Sequence, residues 1–153
     1  MKAIYTTEAT AHGGREGHVR SSDGILDLDL RVPEELKAAV EKPSERSLTA
    51  DGGGERATNP EQLFAAGYAA CFEGTLREVA RACKLPLTDA RITAQVTLNI
   101  TDDKRYVFDA DLRGNVAGVS DEDALALMHA AHQSGYRYFR AAVAPIEATY
   151  DSD

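Results

Sequence analysis

The side chain in this sequence best suited to chemistry is Cys71, which sits midway along the run TNPEQLFAAGYAACFEGTLREVARACKL, residues 58–85. A thiol at its reference pKa of about 8.5 is only about 3 % ionised at pH 7, and apolar surroundings disfavour the anion further. Left alone, such a cysteine serves as a small buried hydrophobe, the commonest use of a free one. Used as a nucleophile or redox centre it must be a thiolate. Making that form dominant takes roughly 3–4 kcal/mol, which one guanidinium about 4 Å away supplies at an effective dielectric near 20. The cation has to come from a distant part of the sequence, because the dipole of a helix acts over about one turn and Cys71 lies well inside the run.

That run reads as one long helix. Asn59 suits the N-cap, Pro60 the first helical position, and Glu61 and Gln62 put acceptors in the first turn. From Leu63 to Leu76 only Tyr68, Glu73 and Thr75 interrupt the apolar residues, so the helix is expected to be buried on all sides. Ala66, Gly67, Ala69, Ala70 and Gly74 would let other backbones approach Cys71 closely and make its site narrow and dry. From Arg77 the pattern becomes amphipathic, with Cys83 expected on the inner face, and Pro86 is the expected stop. Cys83 cannot bond to Cys71 within an intact helix: twelve residues span about 18 Å, against the 7 Å or so that a disulfide tolerates between Cα atoms.

Other chemistries have weaker claims. His12, His18, His129 and His132 show no metal-ligand spacing with one another or with either cysteine, and core or capping roles suit them better. Phosphate-loop, dinucleotide and nucleophile-elbow glycine patterns are absent. The 17 basic and 25 acidic side chains give a net charge of −8 with no basic cluster, which argues against nucleic acid and anionic membranes as partners. With no signal-like start and no apolar run long enough to span a bilayer, the chain is expected to be soluble and cytoplasmic. Its 153 residues are read as a single domain, 1–153, able to bury roughly 70 % of its unfolded surface.

The elements that must position Cys71 can be read in order. Residues 1–10 are an expected first strand, His12–Gly17 a glycine-rich turn and His18–Ser22 a second strand. Asp23-Gly24 marks a hairpin, and Ile25–Leu30 alternates as a third strand. Glu34–Glu41 has a short helical pattern, and residues 42–57 form a polar glycine-rich loop, either a lid or plain surface. After the long helix, Ala90–Thr101 and Tyr106–Val116 alternate at period two. Ser120 caps a second amphipathic helix that Gly135 is expected to end, and Ala141–Tyr150 would be a last strand. The order indicates an α+β fold with antiparallel sheets. Tyr68 and Phe72 beside Cys71, with Tyr136, Tyr138 and Phe139 after the second helix, could wall an apolar pocket for an alkyl or aryl tail. Arg137 and Arg140 could add positive charge there, and the group could equally be a subunit contact.

Three segments, GGREG at 13–17 followed by SSDGILDLDL at 21–30, TNPEQLFAAGYAACF at 58–72, and AAHQ at 130–133, resemble the organic hydroperoxide resistance (Ohr) proteins of the Ohr/OsmC superfamily. The resemblance implies an intertwined homodimer with a long central buried helix. It also implies a thiol peroxidase without cofactor or metal that acts on organic hydroperoxides. By position, Cys71 matches the peroxidatic cysteine, Arg15 the arginine that activates it, and Glu61 the acid that orients that arginine. The family's resolving cysteine lies in an A-H-Q-x-C-P-Y-S stretch, which here reads Ala131-His132-Gln133-Ser134-Gly135-Tyr136-Arg137-Tyr138. Gly135 stands in place of the second sulfur. The expected activity is therefore that of a one-cysteine peroxidase whose sulfenic acid is reduced by an external thiol, dihydrolipoyl or low-molecular-weight. The other reading is a non-catalytic or redox-sensing relative that binds an apolar small molecule.

Overall fold

A computed structural model describes residues 2–40 and 57–142, with the side chains of 40 and 135–142 left aside. The chain divides between Phe64 and Ala65 into two compact units. The first holds β1 (Ala9–His12), a 3-10 turn (Gly14–Glu16), β2 (His18–Ser21), β3 (Asp27–Asp29), α1 (Glu34–Val40) and the start of α2 (Pro60–Ala82). The second holds the rest of α2, β4 (Asp89–Ile100), β5 (Tyr106–Ala117) and α3 (Asp121–Ala142). This is an α+β chain with antiparallel sheets.

In the first unit β1, β2 and β3 form an antiparallel sheet in sequence order, with His12 opposite His18 and His18 opposite Asp29. The first strand is shorter and later than expected: residues 2–8 lie outside any strand and Ile4 and Tyr5 are exposed. A four-residue β2 gives β1 only four partners, so the ladder ends where β2 ends. The third strand is also trimmed. Ser21 N–H donates to the Leu26 carbonyl and Leu26 N–H to Ser21 Oγ, which draws Ile25 and Leu26 into a wider Asp23-Gly24 turn. Leu30 makes a parallel bridge to Thr58, carrying β3 to the threshold of α2.

Both long helices begin as their sequences dictate. Asn59 Oδ1 accepts from Gln62 N–H at 2.8 Å, and Ser120 Oγ accepts from Asp123 N–H at 3.1 Å. α2 stops at Ala82, before Pro86. Lys84 adopts a left-handed φ of 56°, its N–H bonds the Arg81 carbonyl, and Leu85 N–H returns to the Ala80 carbonyl. This pair of bonds is a Schellman motif built without glycine. α3, by contrast, does not stop at Gly135 but runs through to Ala142. A glycine inside a helix costs only about 1 kcal/mol relative to alanine and leaves the backbone hydrogen bonds intact, so it need not end one. The helix thereby occupies Ala141 and Ala142, where a strand was expected. The remainder of that strand, 143–150, and the loop at 42–56 lie outside the described residues.

The core of the second unit is Phe72, Leu76 and Ala80 of α2, Ala90 of β4, and Leu127 and Ala131 of α3. On β4 the residues Ala90, Ile92, Ala94, Val96 and Leu98 turn inward while Arg91, Thr93, Gln95 and Thr97 face out, the period-two alternation of a one-sided sheet. A turn closed by mutual hydrogen bonds of Thr101 and Arg105 joins β4 to β5 in a twelve-residue ladder. The long helix itself departs from expectation. Among the described residues only one face of it is covered, and Phe64, Ala66, Gly67, Ala70, Cys71 and Gly74 are exposed. Phe72, Leu76 and Ala80 lie at fourfold spacing and so occupy one stripe, and no described part of the chain covers the opposite one.

Candidate functional site

In the first unit the site begins with the glycine-rich turn. Gly13 caps the 3-10 turn in the left-handed region at φ 76°, a conformation that favours glycine. A Cβ on Gly17 would run into the His12 carbonyl, so the chain closes tightly there only because that residue has no side chain. Arg15 stands in this turn and meets Glu61 in the first turn of α2.

Arg15 and Glu61 meet as a fork. Nη1 donates to Glu61 Oε2 at 3.0 Å, and Nη2 lies 2.7 Å from Oε1. The first contact has hydrogen-bond geometry. The second is an ion-pair contact, since among the described residues Oε1 is enclosed without a well-aligned donor. The Glu61 side chain is 15 % exposed and that of Arg15 39 %. Burial pushes the Glu61 carboxyl upward, but the Arg15 hydrogen bond, Glu61's own backbone N–H and the Arg15 charge outweigh it and hold the group below the ordinary glutamate range. The fork forms within one chain, so this pairing needs no second subunit.

Cys71 belongs to the second unit, on the exposed side of α2, rather than in the enclosed apolar site expected from its neighbours. Its carbonyl accepts from Thr75 Oγ1 at 3.0 Å. Cys83 is also free and exposed, just past the end of the helix, and not packed on an inner face. A cavity of about 580 Å³ lies in this unit, lined by Tyr68 and Phe72 of α2, Leu112 of β5, and Leu125, Met128 and His132 of α3. Tyr68 and Phe72 are thus brought to one hollow of mixed character, whose polar lining is Asp111, His129, His132 and Gln133. The side chains of Tyr136, Tyr138 and Phe139 lie outside the described residues. Leu125, Met128 and His132 follow the helical spacing that marks one face, and the sequence placed them on the inner face of α3 without making that face a pocket wall. Among the described residues no group of three or more His, Cys, Asp or Glu is arranged to hold a metal, and no helix is long and apolar enough to cross a membrane.

Comparison with known proteins adds a second line of observation. Residues 52–137 match the family described as OsmC-like protein. The chain is 39 % identical over 132 residues to the organic hydroperoxide resistance protein OhrB of Bacillus subtilis, covering 86 % of this chain and 85 % of that one. It is 40 % identical to the organic hydroperoxide resistance protein of Xanthomonas axonopodis pv. citri, over 86 % and 83 %. In three dimensions it resembles the crystal structure of an organic hydroperoxide resistance protein from Legionella pneumophila. The TM-score is 0.74 at 43 % identity, covering 91 % of this chain and 92 % of the other.

Proposed function

Because the chain belongs to the OsmC-like family, among the organic hydroperoxide resistance proteins, we propose that it is a cysteine-dependent peroxidase that reduces organic hydroperoxides to alcohols. The observation that supports this reading most is the Arg15–Glu61 fork. A carboxylate fork fixes the orientation of a guanidinium, and a thiolate in low dielectric needs such a cation beside it. In this reading Arg15 faces Cys71 in the assembled protein, and the whole of 1–153 acts as one domain.

The chemistry then follows. The Cys71 thiolate attacks the terminal oxygen of the hydroperoxide, an S–O bond forms, the O–O bond breaks, and the alkoxide leaves and takes up a proton. Sulfur is oxidised to sulfenic acid and the peroxide is reduced to an alcohol. Arg15 stabilises the thiolate first and then the charge growing on the leaving oxygen. Tyr68 and Phe72 contribute apolar surface for the organic tail, with Tyr136, Tyr138 and Phe139 proposed to extend it. Gly135 carries no sulfur, so two thiols of an external reductant, dihydrolipoyl or low-molecular-weight, return Cys71 to the thiol and release water and a disulfide.

The proposal includes a homodimer with α2 at its centre. The exposed stripe around Cys71 and the exposed Phe64, Ile100, Tyr106, Val107, Phe108 and Leu125 are apolar surface that a second copy would cover. Gly135 also favours a second reading, a redox sensor that is oxidised at Cys71 without turning over.

Two measurements test the activity. Iodoacetamide should label Cys71 nearly as fast at pH 6 as at pH 8, and Arg15→Ala should slow the pH 6 reaction by about 10²-fold, as expected when a thiolate loses its cation. Catalytic turnover of cumene hydroperoxide with a dithiol should disappear in Cys71→Ser. Oxidation of Cys71 without turnover would support the sensor instead, and labelling at pH 6 that ignores Arg15 would defeat both.

A further inference from the structure

His18 of β2 lies between two carboxylates of β3. Its Nδ1 is 2.9 Å from Asp29 Oδ1 and its Nε2 is 2.7 Å from Asp27 Oδ1. A neutral imidazole has one N–H and one lone pair, so it can satisfy only one of these contacts and must turn a lone pair toward the other carboxylate. An imidazolium donates to both. The other charged or titratable groups facing it are Arg20 on its own strand, 3.6 Å from Asp27, and His12 on β1, whose ring centre is 6.4 Å away.

The segment that His18 grips is the junction of the Arg15–Glu61 pair. Leu30 N–H donates to the carbonyl of Gly17, which closes the Arg15 turn, at 2.8 Å. The Asp29 carbonyl accepts from Thr58 N–H at 2.9 Å, and Arg31 N–H donates to the Thr58 carbonyl at 2.8 Å. Asn59 follows immediately as the cap of the helix turn that carries Glu61. The turn bearing the guanidinium and the turn bearing its carboxylate are therefore both fastened to Asp29–Arg31.

We propose that His18 is a positioning residue: charged and held between Asp27 and Asp29, it fixes the Asp29–Arg31 segment and through it the alignment of Arg15 with Glu61. The hydrogen bond His18 donates to Asp29, and after it the one it donates to Asp27 with the charges of both carboxylates, hold the imidazole above its ordinary 6.5 despite partial desolvation. A raised value places the clamp's contribution at full strength below 6.5 and removes it as pH rises through the raised value. Alignment is thus tight below 6.5 and relaxes as pH rises through the raised value.

In respect of activity this inference rests on the peroxidase reading, so its primary test does not use activity. In ¹⁵N-labelled full-length protein, the Arg15 Nε–Hε resonance, assigned with Arg15→Lys, is followed from pH 5.5 to 9 alongside the His18 ring. The Arg15 signal should move with the His18 midpoint, His18→Gln should abolish that movement, and His18→Arg, a permanent two-pronged cation, should hold the signal at its low-pH position throughout. An Arg15 signal that ignores the His18 titration, or a His18→Gln protein that titrates like the wild type, overturns the inference. As a second readout, kcat/KM for cumene hydroperoxide should fall about 10- to 100-fold on the alkaline side, the scale of an ångström's misplacement, and His18→Arg should remove the fall. Coupled resonances without turnover in any variant would uphold the clamp and reject the peroxidase. Turnover with uncoupled resonances would do the reverse.

Discussion

At the scale of residues, Arg15 and Glu61 hold each other through two contacts that only a planar guanidinium can make together. Arg15→Lys keeps the charge but replaces the fork with a point contact, so it should not restore the function lost in Arg15→Ala. The Glu61 carboxyl, held below its ordinary value, contributes stability that is present above about pH 4.5 and lost as pH falls through the lower folded value. Urea midpoints between pH 6 and pH 3 should therefore drop further in the wild type than in Glu61→Gln; equal drops would show that the pair contributes nothing to folding. Sequence made this pair legible only through resemblance, because nothing local in GGREG or NPEQ says that two residues 46 positions apart come together. The His18 clamp left a fainter trace in Asp27 and Asp29, two carboxylates on one face of a short strand. Its partner was readable only once the register of β2 on β3 was known.

At the scale of elements, the second unit is held by helix faces on one side of a hairpin, and Leu76 is its most enclosed large side chain. Leu76→Ala should cost about 2–5 kcal/mol of unfolding free energy, measured by urea titration at fixed protein concentration. Asn59→Ala removes the N-cap bond to Gln62 and should cost about 1 kcal/mol. It should also disturb Glu61, two residues on. Gly17→Ala sets a side chain against the His12 carbonyl, so it should shift the Arg15 turn and lower thiolate labelling at pH 6 more than it lowers thermal stability. The caps and the period-two strands were plain in the sequence because they depend on neighbours within four residues. The ends of α2 and α3 were not. Lys84 takes a left-handed turn usually given to glycine and ends α2 before Pro86, whereas Gly135, the expected stop of α3, stays helical.

At the scale of the whole molecule, a mostly apolar helix was legible in residues 63–76, but burial on all sides was not met within one chain, where among the described residues the buried stripe is Phe72, Leu76 and Ala80. The proposed dimer accounts for the rest. Sedimentation should give twice the chain mass, and Gly67→Glu, a charge placed on the exposed stripe, should weaken the assembly; a monomer at micromolar concentration would refute this arrangement. The most direct trial of the central claim is the intact mass of the protein after mixing with one equivalent of cumene hydroperoxide and quenching at intervals. The wild type should gain one oxygen at Cys71 within seconds, Cys71→Ser should gain none, and Arg15→Ala should gain it at least about 10²-fold more slowly. An unchanged wild-type mass, or an Arg15→Ala protein oxidised as fast as the wild type, would contradict a thiolate peroxidase activated by Arg15.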